Sequence, residues 1–196
     1  MIDFNKLKTL YKLGRNIGLE DVKMLLDASE KKNYEPGDIV IKEGSFNKRI
    51  YFINRGLVRA YVINDKGDEV TTGLRKEHQL FLSPDVVLFR EASRHSFECL
   101  EASQVFSLNH EVLDRLVSQN PKLEANRKYI TRTIIKEAFN RIDSFILRSP
   151  EERYLDFIDK NSDLMHRVPN KYIANVLGIT EVSLSRIRRR IADRKR

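Results

Sequence analysis

Apolar residues near the start of the chain recur every three to four positions: Phe4, Leu7, Leu10 and Leu13, then Val22, Leu25 and Leu26. That period predicts helix over 3–32, interrupted near Gly14 and Gly18. From Tyr34 to Leu108 the pattern shifts to short apolar or alternating runs bounded by turn residues. Strands are predicted at 38–42, 49–53, 57–63, 69–75, 96–100 and 104–108. Asp65-Lys66-Gly67-Asp68 would close one hairpin, and Glu101-Ala102-Ser103 would close another between the last two strands. Short strands with Gly, Asn and Asp turns and no long helix between them point to an antiparallel barrel or sandwich. The irregular stretch His78–His95 reads as a loop with a short helix.

Beyond Asn109 the period returns to that of a helix. Asn109 can cap a short helix running to Val117. A second helix is predicted over 121–147, with Pro121 in its first turn and a length of about 40 Å. Leu123, Ile130, Ile134, Ala138, Ile142 and Phe145 form one apolar stripe, and Ile135, Phe139 and Ile146 form a second beside it. Two stripes need two neighbours. A second copy of the chain is one expected neighbour, and Ile130, Ile134, Ala138 and Ile142 are assigned to dimerisation. The alternative buries both stripes within one monomer. Ser149-Pro150-Glu151-Glu152 then starts a new helix: a capping hydroxyl, a proline at the first turn and acids at the positive end of the dipole. Its apolar face is Tyr154, Leu155, Phe157 and Ile158.

Composition adds a division of charge. The chain carries +8 in all. From Arg167 to Arg196 nine Lys/Arg face only Glu181 and Asp193, a net +7, whereas the preceding residues hold 27 bases and 26 acids. A nearly neutral body with a strongly basic end suggests that the end meets a polyanion, and a solvated charged tail is the alternative that composition leaves open. An apolar share of 41% argues against disorder. Runs such as Val86-Val87-Leu88-Phe89 are too short to cross a bilayer. Met1–Leu10 shows no secretory pattern, and Cys99 is the single cysteine, so a cytoplasmic setting is expected.

Within the basic end, VPNKYIANVLGITEVSLSRIRRRI, residues 168–191, has the steric pattern of two steeply crossing helices. Ala174 is small where they would touch, and Gly178, four residues on, suits a turn needing positive φ. Ile173, Leu177, Ile179, Leu184 and Ile187 would close the core, and Thr180 would cap the second helix. With Leu184 and Ile187 inward, Thr180, Glu181, Val182, Ser185, Arg186 and Arg189 fall on or near the outward face. That is how a recognition helix enters a major groove. Glu181 could accept from cytosine, Val182 could touch a thymine methyl and Arg186 could grip guanine. Lys171, Arg188, Arg190 and the tail Arg194-Lys195-Arg196 suit phosphate, and Ser183 and Ser185 suit either. A plain helical hairpin with a basic face is the competing reading.

This segment resembles the C-terminal helix-turn-helix of the Crp/Fnr family of bacterial transcription regulators. SPEERYLDFIDK resembles the stretch leading into it, and EPGDIVIKEGSFNKRIYFINRGLVRAYVINDKGDE resembles the family's cyclic-nucleotide-binding β-roll. The resemblance implies an α+β chain: an antiparallel, jelly-roll-like sensor domain over 1–120, a central dimerisation helix over 121–147 and a DNA-binding domain over 148–196. It implies a homodimer on palindromic double-stranded DNA with half-sites about 34–36 Å apart, and it leaves RNA polymerase as a further partner. Nucleotide binders of the family carry Phe-Gly-Glu and then an arginine. Here Phe81-Leu82-Ser83 stands in that place, with Arg94 followed by His95. Phe81, Ser83 and Arg94 are therefore the candidate effector residues. The missing carboxylate argues against cyclic AMP, and Arg94 reads more as a surface cation than as a phosphate clamp. No cofactor is expected. Short metal-binding spacings are missing among His78, His95, His110 and His166, and so are the cysteine ligands of oxygen-sensing relatives. The rival readings are a constitutive DNA binder with a purely structural roll, a metal-bearing barrel enzyme, and a protein-interaction module whose basic end meets an acidic partner.

Overall fold

The computed structural model describes residues 19–194. The early stripe of Phe4, Leu7, Leu10 and Leu13, and the last two residues of the basic tail, lie outside that range. A helix α1 (Leu19–Asp27) is followed by eight strands: β1 (Glu30–Tyr34), β2 (Ile39–Ile41), β3 (Arg49–Arg55), β4 (Val58–Ile63), β5 (Glu69–Arg75), β6 (Leu80–Phe81), β7 (Ser96–Cys99) and β8 (Ser103–Asn109). They form two four-stranded sheets with orders β1-β8-β3-β6 and β2-β7-β4-β5. Apart from β4 and β5, which are neighbours in the second sheet, successive strands change sheet, as in a jelly roll. The antiparallel α+β class matches the sequence reading.

β3 is a central strand, and its run Ile50-Tyr51-Phe52-Ile53 is buried throughout. It pairs with β8 in the register Tyr51↔Ser107, Phe52↔Phe106, Ile53↔Val105. Between the sheets, Ile41, Ile53, Val58, Phe97, Cys99 and Val105 form the dry core. Burial pushes the Cys99 thiol up to about 11, so it stays protonated and inert at neutral pH. Gly56 turns the chain from the first sheet to the second at φ +109, where a Cβ would stand 2.1 Å from Ser103 Oγ. Only glycine fits that corner.

The strands differ from the sequence expectation at three points. Residues 30–32 are strand, not helix. β1, Glu-Lys-Lys-Asn-Tyr, is an exposed edge with no apolar alternation to reveal it. It is held by pairing with β8 and by the Arg49 fork, whose two Nη atoms each donate to a Glu30 oxygen at 2.7 Å. β7 and β8 do not form a hairpin, because β7 lies in the second sheet and β8 in the first. The two-residue β6, paired to β3, lies inside the stretch expected to be loop, before a π-helical turn at Asp85–Phe89.

After β8, Asn109 Oδ1 accepts from Glu111 N at 2.8 Å and caps α2 (His110–Gln119). A 3₁₀ turn at Pro121–Leu123 leads into α3 (Glu124–Leu147), three residues later than expected. Then come α4 (Pro150–Asn161), α5 (Asn170–Leu177) and α6 (Glu181–Arg194). The chain divides into two compact units. One takes in the chain through Ala60 with Leu74–Ile135, and the other takes in Tyr61–Gly73 with the chain from Lys136. Within the first unit Ile130 and Ile134 of α3 pack on the cluster of Ile50, Leu82, Leu108 and Leu113. Ala138 and Ile142 are exposed, as are Ile135, Phe139 and Ile146. Of the four assigned dimerisation residues, then, two are packed within their own chain and two face outward. Among the described residues no helix is long and apolar enough to cross a membrane.

Candidate nucleic-acid interface

The second unit is organised around two caps. Ser149 and Glu152 form a reciprocal capping box on α4: Ser149 Oγ accepts from Glu152 N, and Glu152 Oε2 accepts from Ser149 N at 2.8 Å. The Ser149 backbone N–H, then its hydroxyl, hold the Glu152 carboxyl below the usual carboxylate range. Thr180 Oγ1 accepts from Ser183 N at 3.1 Å and caps α6, as its position predicts. Between α5 and α6 the chain turns at Gly178, φ +64. Gly178 N donates to Asn175 O at 2.9 Å and Ile179 N to Ala174 O at 3.0 Å, the paired bonds of a left-handed C-terminal cap.

Packing then decides what α6 presents. Ile173, Ala174, Leu177, Leu184 and Ile187 are buried with Tyr154, Phe157 and Leu164, and Leu184 is only 1% exposed. Leu155 is the exception on the α4 face, 41% exposed. It faces the groove between α4 and α6 instead of the core. Glu181, Val182, Ser185, Arg186 and Arg189 are exposed on α6, with Val182 at 61%. Thr180 and Lys171 are also exposed, and Ser183 is half-buried against the Thr180 hydroxyl at 2.9 Å. Glu181, Val182, Ser185 and Arg186 thus share one accessible helical face opposite Leu184 and Ile187.

The arginines expected to meet phosphate do not all stand free. Arg188 turns inward: Nη1 donates to Asn170 Oδ1 at 2.8 Å and its guanidinium lies 5.8 Å from the Tyr154 ring centre. Its Nε and other Nη are buried without a partner among the described residues. Arg190 Nη1 donates to Glu151 Oε2 at 3.1 Å, and Arg194 Nη1 donates to the other Glu151 oxygen. Helical geometry explains the division. Positions 187, 190 and 194 run along one side of α6, toward α4, while 182, 185 and 189 run along the other and 186 stands between, at the rim of the α4 groove. Arg189 lies 4.0 Å from Asp193, one turn away on its own helix.

Residues that sequence reasoning did not single out hold this unit together. Arg153 Nε donates to Leu177 O at 3.1 Å and its Nη1 to Arg148 O at 2.7 Å, closing the last turn of α5 and the end of α3. Its guanidinium lies 4.8 Å from the Phe145 ring centre, and Arg141 lies 5.1 Å from the same ring. Phe145 in turn covers Gly178. Asn175 Oδ1 accepts from Thr71 N at 3.1 Å, anchoring the hairpin segment of this unit. The bonds from Arg153 to Leu177 and from Thr71 to Asn175 join distant positions, so no local spacing announces them.

In the first unit the effector candidates are separated. Phe81 is 3% exposed and stacks between Tyr51 and Phe97, with ring centres 4.8 and 5.5 Å away, so it is part of the core. Ser83 is fully buried, and its hydroxyl has no partner among the described residues. The Arg94 side chain is 74% exposed and its Nε donates to Asp85 Oδ1 at 2.8 Å. Burial of Asp85 would raise its carboxyl, but the backbone and side-chain bonds from Arg94 outweigh that and hold it low. Among the described residues no group of three or more His, Cys, Asp or Glu could hold a metal ion.

Residues 31–120 match the cyclic nucleotide-binding domain family. The chain is 30% identical over 178 residues to electron transport regulator A of Shewanella oneidensis, and 31% identical over 178 residues to the fumarate and nitrate reduction regulatory protein of Yersinia pestis. The chain belongs to the Crp/Fnr family. Each match takes in 80% of this chain and 66% of the relative, so the chain spans just under two thirds of these Crp/Fnr regulators. FixK2 of Bradyrhizobium japonicum has the same Crp/Fnr fold, with a TM-score of 0.71 at 15% identity over 85% of this chain and 86% of that one. The helix-turn-helix placed by spacing and the roll placed by turn chemistry are thus the two parts of one family architecture.

Proposed function

We propose that this chain is a sequence-specific DNA-binding transcription regulator that acts as a homodimer on a palindromic duplex. The observation that carries the reading is the face of α6. Leu184 and Ile187 are buried while Glu181, Val182, Ser185 and Arg186 stand exposed beyond a tight turn. Arg186 is the bidentate guanine reader, with Glu181 and Val182 placed for cytosine N4 and a thymine methyl. Lys171 and Arg189 supply phosphate contacts. The exposed apolar line Ile135, Phe139, Ile142 and Ile146 on α3 is the surface for the second copy. The cytoplasm is its proposed setting, RNA polymerase a further partner, and no catalytic step is assigned to it.

Selection of bound duplexes from a random pool, followed by sequencing, tests this reading. A two-fold symmetric site should emerge. Arg186→Ala should cost about 1–3 kcal/mol and relax preference at one base per half-site. Loss of binding uniform across all duplexes would remove Arg186 from the reading set. Recovery of no preferred sequence would sink the regulatory reading.

For the roll, the specific observation is that Phe81 is packed away and Arg94 is held by Asp85. This favours a roll without cyclic AMP, which either answers another signal or serves only as dimer support. A thermal-shift panel of nucleotides and metabolites separates these, because a ligand preferring the folded state raises the melting temperature.

A further inference from the structure

Glu151 is set between α4 and the basic side of α6, where it takes both Arg190 and Arg194. It is well shielded, 19% exposed, whereas the two arginines are 58% and 64% exposed. The arrangement borders an open groove of about 610 Å³ that also reaches Arg186 and Ser183 of the reading helix. A carboxylate held by two guanidiniums one helical turn apart presents the chemistry of a phosphodiester oxygen pair. One carboxylate offsets one of these two positive charges, so the pair of guanidiniums enters a duplex encounter with half its charge already matched. Among the described residues of α6, Arg186 is exposed and Arg189 lies beside Asp193 of its own helix.

We infer that Glu151 is an internal competitor for DNA phosphate. It occupies Arg190 and Arg194 and so sets the strength and salt dependence of duplex binding, without touching a base. The inference rests on the DNA-binding reading above and adds to it a residue outside the reading face. Physically, each arginine that reaches phosphate releases condensed counterions and adds about 0.9 to the slope of log K against log salt. While Glu151 holds both side chains, one of their two charges is already offset and that share of the release is lost. The contact lowers affinity for all sequences alike, leaving discrimination to Glu181, Val182, Ser185 and Arg186. A regulator that must leave non-specific DNA gains from such damping, because non-specific binding is almost wholly electrostatic.

The test uses the full chain and two duplexes, one selected and one of scrambled sequence, titrated between 50 and 300 mM salt as chosen assay conditions. Glu151→Gln should bind both duplexes at least about fivefold tighter near 0.15 M salt, with a steeper slope and an unchanged ratio between them. Asp159→Asn makes the same charge change on an exposed position of α4 and should give a much smaller gain. Adding Arg190→Gln and Arg194→Gln to Glu151→Gln should abolish the gain. Equal affinity and slope for Glu151→Gln and the unaltered protein would overturn the inference, and so would a gain that survives loss of both arginines. If Glu151→Gln weakens binding, with the helical circular-dichroism signal intact, the pair is instead a staple that positions α6, and the competitor role fails. Failure of the unaltered protein to bind any duplex would fall on the DNA-binding reading itself.

Discussion

Gly178→Ala concentrates several features of the DNA-binding unit in one methyl group. Gly178 sits at φ +64, and a Cβ there would lie 2.4 Å from Phe145 Cε1 and 3.0 Å from its Cζ. The left-handed backbone costs an alanine about 1–2 kcal/mol. The clash adds to that, because the ring must swing away and weaken its contacts with Arg141 and Arg153, each worth about 0.5–1 kcal/mol at an accessible site. Together these give about 2–4 kcal/mol. The loss should be local, so hydrogen exchange is the suitable assay. Amides of α5 and of the first two turns of α6 should open about 30- to 1,000-fold more readily, while those of β3 and β8 stay unchanged. Phe145→Ala in the same chain should recover the steric part, a coupling of about 1 kcal/mol, and leave the backbone strain. If exchange in α5 and α6 changes by less than about threefold, the account of this turn is wrong.

Other expectations are simpler. Thr180→Ala should cost the cap of α6 about 1 kcal/mol and weaken duplex binding in proportion, whereas Thr180→Ser should retain most of both. Phe139, 62% exposed on α3, should tolerate Phe139→Glu without loss of fold, yet sedimentation equilibrium should show a shift from dimer to monomer; an unchanged dimer would place the interface elsewhere. Burial, opposed by Asp85, holds His95 below the usual histidine value, so the folded state keeps the ring neutral. That contribution is full above about pH 6.5 and is lost as pH falls through the depressed folded value, well above the acid range in which Asp85 titrates. The urea midpoint should therefore fall between about pH 7.5 and 5.5, and His95→Gln should flatten that fall; an identical pH profile would discount His95.

The sequence by itself fixed whatever depends on neighbours within a turn or two. Ser149, Thr180 and Asn109 each cap the helix their positions indicated, because a cap joins a side chain to a backbone N–H two or three residues away. Gly178, Ala174, Leu184 and Ile187 were legible because two helices at a tight turn leave little choice of size or φ. The alternating and apolar strand runs gave most of the roll. Tertiary structure decided the rest. β1 has no apolar pattern and exists because β8 and Arg49 hold it. The sheet to which β7 belongs is a question of distant pairing, so an apparent hairpin is a crossover between sheets. The arginines of α6 have the same charge and similar neighbours, yet Arg188 lies against Tyr154, Arg190 and Arg194 are held by Glu151, and Arg186 is exposed. That sorting depends on α4, packed across from them by contacts that span some forty positions of chain. Local periodicity reports which side of a helix is apolar; only packing reveals which of its charges are already taken.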